Sequence, residues 1–162
     1  MEDFKTIINE EVANQALQIL FCGHFGDPLI NPHFLDMIKY LTEVNPNLLI
    51  NIHTNGSFYK EEWWAELAKS LPEKHIVYLG IDGLEDTHHL YRQDTDFNKI
   101  IQNAQAYIAN GGYAVWKMIK FDHNQEQIAD CRQLSRSLGF KEFYLIDAGR
   151  NTFPVFQSDR SL

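Results

Sequence analysis

The residues able to do chemistry in this sequence gather in five short polar stretches. Gly23-His24-Phe25-Gly26-Asp27 is the first, and His53-Thr54-Asn55 the second. Asp82, followed by Glu85, Asp86, His88, His89 and Arg92, is the third. Lys120, Asp122, His123 and Asn124 make the fourth, and Asp147 with Arg150 the fifth. Carboxylates and guanidinium groups hold charged ligands through charge-assisted hydrogen bonds. Histidines ligate metals or move protons near neutral pH. Five of the seven histidines (His24, His53, His88, His89 and His123) fall in these stretches. None has the tight spacing of a zinc motif, so no metal site is expected. A nucleophilic serine has no support, because no Gly-x-Ser-x-Gly turn occurs. Gly23-His24-Phe25-Gly26 lacks the third glycine of a dinucleotide fingerprint and opens no immediate helix.

The elements between these stretches explain why they recur. Phe4, Ile7, Ile8, Val12 and Leu17 stand at near-helical spacing, which predicts a helix over 4–15. The apolar run from Leu17 to Cys22 predicts a strand, with Cys22 as a small buried hydrophobe. Asn31-Pro32 is a helix start, followed by the stripe Phe34, Leu35, Ile38 and Leu41. A second strand covers 48–53 and ends in the turn Thr54-Asn55-Gly56-Ser57. A helix with Trp63, Trp64, Leu67, Ala68 and Leu71 leads to a third strand over 75–81. A turn-rich stretch follows to about Asp96. The helix with Phe97, Ile100, Ile101, Ala104 and Ile108 stops at Gly111-Gly112. A fourth strand covers 113–121. Asn124 is expected to cap a helix carrying Ile128, Cys131, Leu134 and Leu138, and a fifth strand covers 141–146.

Strand and helix patterns thus alternate with no hairpin signal. That order predicts parallel strands joined by right-handed crossovers. The five polar stretches then lie after the carboxyl ends of the strands, where such sheets bind ligands. Five strands are too few for a closed eight-stranded barrel, so an open partial barrel is expected. The domain is read as residues 1–148, with a polar tail over 149–162.

Composition narrows the classes. The chain has 162 residues, 44% of them hydrophobic, enough for one packed domain. Its net charge is −8, and no basic run occurs, which argues against a nucleic-acid partner. No apolar stretch is long enough to span a bilayer, and Met1-Glu2-Asp3-Phe4-Lys5 has no apolar leader core. No membrane association and a cytoplasmic location are expected. Two widely separated cysteines, Cys22 and Cys131, do not form a disulfide framework.

Four local motifs resemble the radical SAM enzymes. Phe21-Cys22-Gly23-His24-Phe25-Gly26-Asp27-Pro28-Leu29 resembles their Gly-Gly-Glu-Pro-Leu segment. His53-Thr54-Asn55-Gly56 is similar to their Thr-Asn-Gly turn. Ile81-Asp82-Gly83-Leu84-Glu85-Asp86-Thr87-His88, with Tyr91-Arg92, resembles the Ile-Asp-Gly…His…Arg stretch. The strand before Asn124 is similar to a later strand of the family. The resemblance implies a partial (β/α) barrel of about five parallel strands, lacking the family's first strand. It places Gly26, Asp27, Thr54, Asn55, Asp82 and Asn124 around S-adenosylmethionine. Asp27 stands where the family has glutamate, opposite the ammonium of the cofactor. His24, His53, His88, Arg92 and Asp147, at the strand ends, are candidates for a substrate pocket.

The resemblance also implies a 4Fe–4S cluster held by three cysteines at Cys-x-x-x-Cys-x-x-Cys spacing, a pattern that this sequence lacks. Soft thiolate ligation is a chemical requirement of such clusters. Neither the cluster nor S-adenosylmethionine is therefore expected for this chain alone. Both would return only if other residues supplied the cysteine loop. Three functional readings stay open: a cluster-less domain that binds a small molecule or a partner, a fragment of a complete radical SAM enzyme, and a metal-assisted hydrolase built on strand-end His and Asp residues. The edge of the strand at 17–22 is expected to be exposed and relieved by self-association or by a terminus.

Overall fold

The computed structural model describes residues 1–23, 26–71 and 74–147. His24, Phe25 and the tail over 149–162 lie outside the described residues. Five parallel strands form one sheet in sequence order: β1 (Gln18–Phe21), β2 (Leu49–Thr54), β3 (Ile76–Gly80), β4 (Tyr113–Ile119) and β5 (Glu142–Ile146). Its edges are β1 and β5, so the sheet is open, as expected. The helices α1 (Glu2–Ile7) and α2 (Glu10–Gln15) precede β1. α3 (Phe34–Val44), α4 (Glu61–Ser70), α6 (Phe97–Ala109) and α7 (Ile128–Ser137) occupy the crossovers, with a short α5 (Glu85–Tyr91) after β3. Among the described residues no helix is long and apolar enough to cross a membrane.

The two faces of the sheet differ, and the strand sequences already say so. A parallel sheet covered on both faces reads as continuous apolar runs. Here β2 alternates instead: Ile50, Ile52 and Thr54 are buried, while Leu49, Asn51 and His53 are not. The register carries that alternation across the sheet, pairing His53 with Tyr78 and Gly80 with Lys117. Ile50, Ile52, Val77, Leu79, Ala114, Trp116 and Met118 meet the helices in one core with Phe34, Ile38, Leu41, Trp64, Leu67, Ile100 and Tyr107. The opposite face carries Asn51, His53, Tyr78, Tyr113 and Lys117, all half-buried. At the β1 edge Leu17 is 87% exposed and Leu20 51% exposed.

Three local expectations need correction. The helix expected over 4–15 is two helices, because Asn9 starts a new one by accepting the Val12 N–H at 3.0 Å. Apolar spacing does not register such a cap, since Ile7, Ile8 and Val12 stay in phase across it. The turn-rich stretch contains α5, whose residues are mostly polar and give little periodic signal. Asn124 makes no capping bond to α7. Its side chain accepts the Phe121 N–H and donates to Asp82 O and Ile119 O, and a 3-10 turn over Gln125–Gln127 intervenes before the helix.

Three histidines are buried or half-buried with pKa values lowered to about 4, chiefly by loss of hydration: His53, His75 and His88. Each binds fewer protons folded than unfolded between about pH 4 and the ordinary value of 6.5. Stability therefore rises with pH through that window and is lost as pH falls through it. Urea midpoints measured from pH 7 down to pH 4 should drop by the equivalent of about 2 kcal/mol or more, beyond any carboxylate effect. His88→Gln should remove part of that slope, and an unchanged slope would contradict burial of a neutral ring.

Candidate functional site

A cavity of about 400 Å³ opens at the carboxyl ends of β1 to β4. It is lined by Cys22, Gly23, Gly26, Asp27, His53, Thr54, Asn55, Tyr78, Gly80, Arg92 and Lys117. Four of the residues expected by resemblance, Gly26, Asp27, Thr54 and Asn55, thus share one wall. His53 and Arg92 from the expected substrate set face the same space.

Asp27 organises the rim. Its carboxylate accepts from Leu29 N at 3.0 Å, which starts a 3-10 turn over Pro28–Ile30. It also accepts from Thr54 Oγ1 at 2.8 and 3.0 Å and from Asn55 N at 2.7 Å. Both oxygens are therefore engaged by groups of the chain. Thr54 Oγ1 in turn accepts from Gly56 N at 3.0 Å. Gly56 has φ +77, and a Cβ there would lie 2.6 Å from Leu79 Cδ2, so the turn needs glycine. The buried Asn103, which the sequence does not flag, donates to Gly56 O at 2.8 Å and locks the turn to α6.

The floor is cationic. Asp82 is fully buried and pairs with Arg92 Nε at 2.6 Å. The same carboxylate accepts from Ile119 N at 2.6 Å. Gly80 makes room for the guanidinium, since a Cβ there would stand 2.7 Å from Arg92 Nη2. Lys117 comes from the next strand and donates from Nζ to His53 Nδ1 at 3.0 Å. Burial and the Arg92 charge both lower the Lys117 pKa, while Asp82 and Cys22 oppose that. His53, neutral at pH 7, is an acceptor for Lys117, and its ring lies 4.4 Å from that of Tyr78. Two cations thus face one cavity; of the two carboxylates near them, Asp82 is engaged by Arg92 and Ile119 N, and Asp27 by Leu29 N, Thr54 Oγ1 and Asn55 N.

The other expected site residues sit elsewhere. Asp82 and Asn124 are buried behind the cavity and tie β3 to the end of β4. His88 is buried, accepting Asp82 N–H at 3.1 Å and facing Thr95 Oγ1 at 3.1 Å. Asp147 pairs with Lys120 at 3.0 Å and is largely exposed. His24 lies outside the described residues. Cys22 departs from the buried role expected of it: the strand ends at Phe21, and Cys22 is exposed on the cavity rim. Lys117 and Tyr78 were not singled out by motif. The signal that would have found Lys117 is its phase in β4, on the same sheet face as His53.

The fit of an iron–sulfur cluster can be tested on these residues. Cys131 is buried on α7 and takes no part in the cavity lining, so it offers no ligand there. That leaves Cys22, one thiol where three are required. Among the described residues no three His, Cys, Asp or Glu side chains converge on a metal position. An ammonium placed at Asp27 would compete with the Leu29, Thr54 and Asn55 donors already there. These residues alone do not fit the cluster, and no step through it is derived.

No protein-family model matches the sequence. A curated relative is the cysteine-type anaerobic sulfatase-maturating enzyme of Clostridium novyi, 28% identical over 109 residues, covering 61% of this chain and 28% of that protein. SuiB of Streptococcus suis superposes with a TM-score of 0.72 at 16% identity, over 94% of this chain and 35% of SuiB. SuiB bound to S-adenosylmethionine gives 0.70. The radical S-adenosylmethionine methyltransferase TsrM of Kitasatospora setae, with cobalamin and a 4Fe–4S cluster bound, gives 0.60 at 17% identity, over 84% of this chain and 29% of TsrM. The chain thus spans about a third of the length of each of these proteins.

Proposed function

We propose that this chain, a radical SAM-like core domain, binds a small anion-bearing molecule in its strand-end cavity and does not by itself cleave S-adenosylmethionine. The observation that carries the proposal is that Lys117 and Arg92 both line the floor of one cavity. Asp82 offsets Arg92, whereas Lys117 has a neutral histidine as its hydrogen-bond partner. Half-buried like charges raise the energy of the empty site, and an incoming carboxylate or phosphate relieves it. Reductive cleavage needs an electron delivered through a thiolate-held cluster, and two cysteines do not supply one.

Calorimetric titration with oxalate tests the binding. Saturable binding with Kd of about 1 mM or below is expected, weakening as salt is raised. Lys117→Met should weaken it roughly tenfold, the loss of one charge-assisted hydrogen bond. No saturation, or affinity untouched by Lys117→Met, would contradict the proposal. S-adenosylmethionine is expected to bind weakly or not at all, because the described residues form no cluster site to grip it and Asp27 already accepts three hydrogen bonds.

A second reading is favoured by one observation, the small share of each relative that the chain spans. These residues would then be part of a larger radical SAM protein, with the cluster-binding cysteines on other residues. Reading the gene on both sides for an in-frame Cys-x-x-x-Cys-x-x-Cys decides it. Finding that motif would replace the cluster-less reading, and anion binding at Lys117 and Arg92 would remain as a part of that protein's site. Hydrolysis at a histidine-held metal has no geometry in its favour among the described residues.

A further inference from the structure

Lys117 differs from an ordinary lysine on a sheet face. Such a lysine extends into water or pairs with a carboxylate. Lys117 instead is half-buried at a cavity wall, with its amine on His53 Nδ1. The groups that face it are known from every adjoining element. Cys22 follows β1, His53 is on β2, Tyr78 is on β3, Asp82 follows β3, Arg92 follows α5, and Tyr144 is its register neighbour on β5. Of the carboxylates around it, Asp82 is held by Arg92 and by Ile119 N, and Asp27, across the same cavity, by Leu29 N, Thr54 Oγ1 and Asn55 N.

We propose that Lys117 is a nucleophilic amine that captures small aldehydes and 2-oxo acids as Schiff bases, with His53 orienting the amine and Arg92 holding the anionic end. An amine reacts through its unprotonated form, and a desolvated lysine beside a second cation is the arrangement that favours this form. Burial and Arg92 act in that direction here. One N–H of the neutral amine donates to His53 Nδ1, which leaves the nitrogen lone pair for the carbonyl carbon. The C–N bond forms, and the carbonyl oxygen departs as water with the two amine protons. No electrons change hands in that step. The inference rests on the cavity being a small-anion site, and it adds the covalent step and the carbonyl class.

Reductive trapping tests it on the whole chain. The protein is incubated with glyoxylate and cyanoborohydride at neutral pH, and the hydride converts each imine to a stable carboxymethyl-amine. Peptide mapping then compares Lys117 with the exposed Lys60 and Lys141. Lys117 should label about tenfold faster or more, because burial and the Arg92 charge favour its neutral amine. Lys117→Arg should abolish that label, and the unaltered chain decides the matter even if this variant misfolds. Equal or slower labelling at Lys117 overturns the inference. If oxalate still binds in that case, the Schiff base alone is wrong. If neither label nor binding occurs, the small-anion site falls as well.

Discussion

Arg92→Met should lower the stability of the fold by about 3 kcal/mol, a fall in Tm of roughly 10 °C for a chain of this size. The reason is the position of Asp82. It has no exposed surface, and the Arg92 Nε at 2.6 Å is its only charged partner among the described hydrogen bonds and ion pairs. The remaining bond, from Ile119 N, is neutral. Removing the guanidinium strands a carboxylate in the core, which is far costlier than removing both charges together. Arg92→Met combined with Asp82→Asn should therefore recover most of the loss. A single-variant loss under about 1 kcal/mol, or a double variant as unstable as the single, would show that the pair does not anchor β3 to β4.

Asp27→Asn should be the second large effect, about 2 kcal/mol, and it should be local. The carboxylate accepts from Leu29 N, Thr54 Oγ1 and Asn55 N. An amide presents one NH2 edge to a set made entirely for an acceptor, so a backbone N–H and an NH2 face each other. Amide exchange at Leu29 or Asn55 should quicken about thirtyfold, while exchange in β3 stays within a few-fold. Uniform acceleration over the sheet would mean that Asp27 supports the whole fold and not the rim of the cavity.

The sheet was legible because its strands are short apolar runs separated by helical stripes and glycine stops. The carboxyl ends were legible because polar residues follow each strand. The break at Asn9 was not, since a side-chain cap leaves no trace in apolar spacing. Nor was α5: it is nearly all polar, and its first turn is held from a distance by Gln127, whose Oε1 accepts from Leu84 N and Thr87 Oγ1. At the site, motif spacing brought Gly26, Asp27, Thr54 and Asn55 together on one wall. It grouped Asp82 and Asn124 with them, whereas these two point into the core behind the cavity. Lys117 carries no such signal, because it lies inside β4 and not in the polar loop after it. Its phase in β4 puts it on the sheet face of His53, and the β3–β4 register, which sets it beside Gly80, brings it to the cavity.

Cys22 and Cys131 illustrate the same limit. Cys22 ends an apolar run and Cys131 falls in a helical stripe, yet Cys22 is exposed on the cavity rim and Cys131 lies on the buried side of α7. Their separation agrees with a domain whose site rests on fixed charges rather than on thiolates.

The most direct test of a small-anion site is a titration of the isotope-labelled chain with oxalate, followed amide by amide. Saturable shifts should concentrate at His53, Asn55, Gly80, Arg92 and Lys117, and should need roughly tenfold more oxalate in Lys117→Met. Shifts scattered over the surface, or centred away from the ends of β2, β3 and β4, would contradict it.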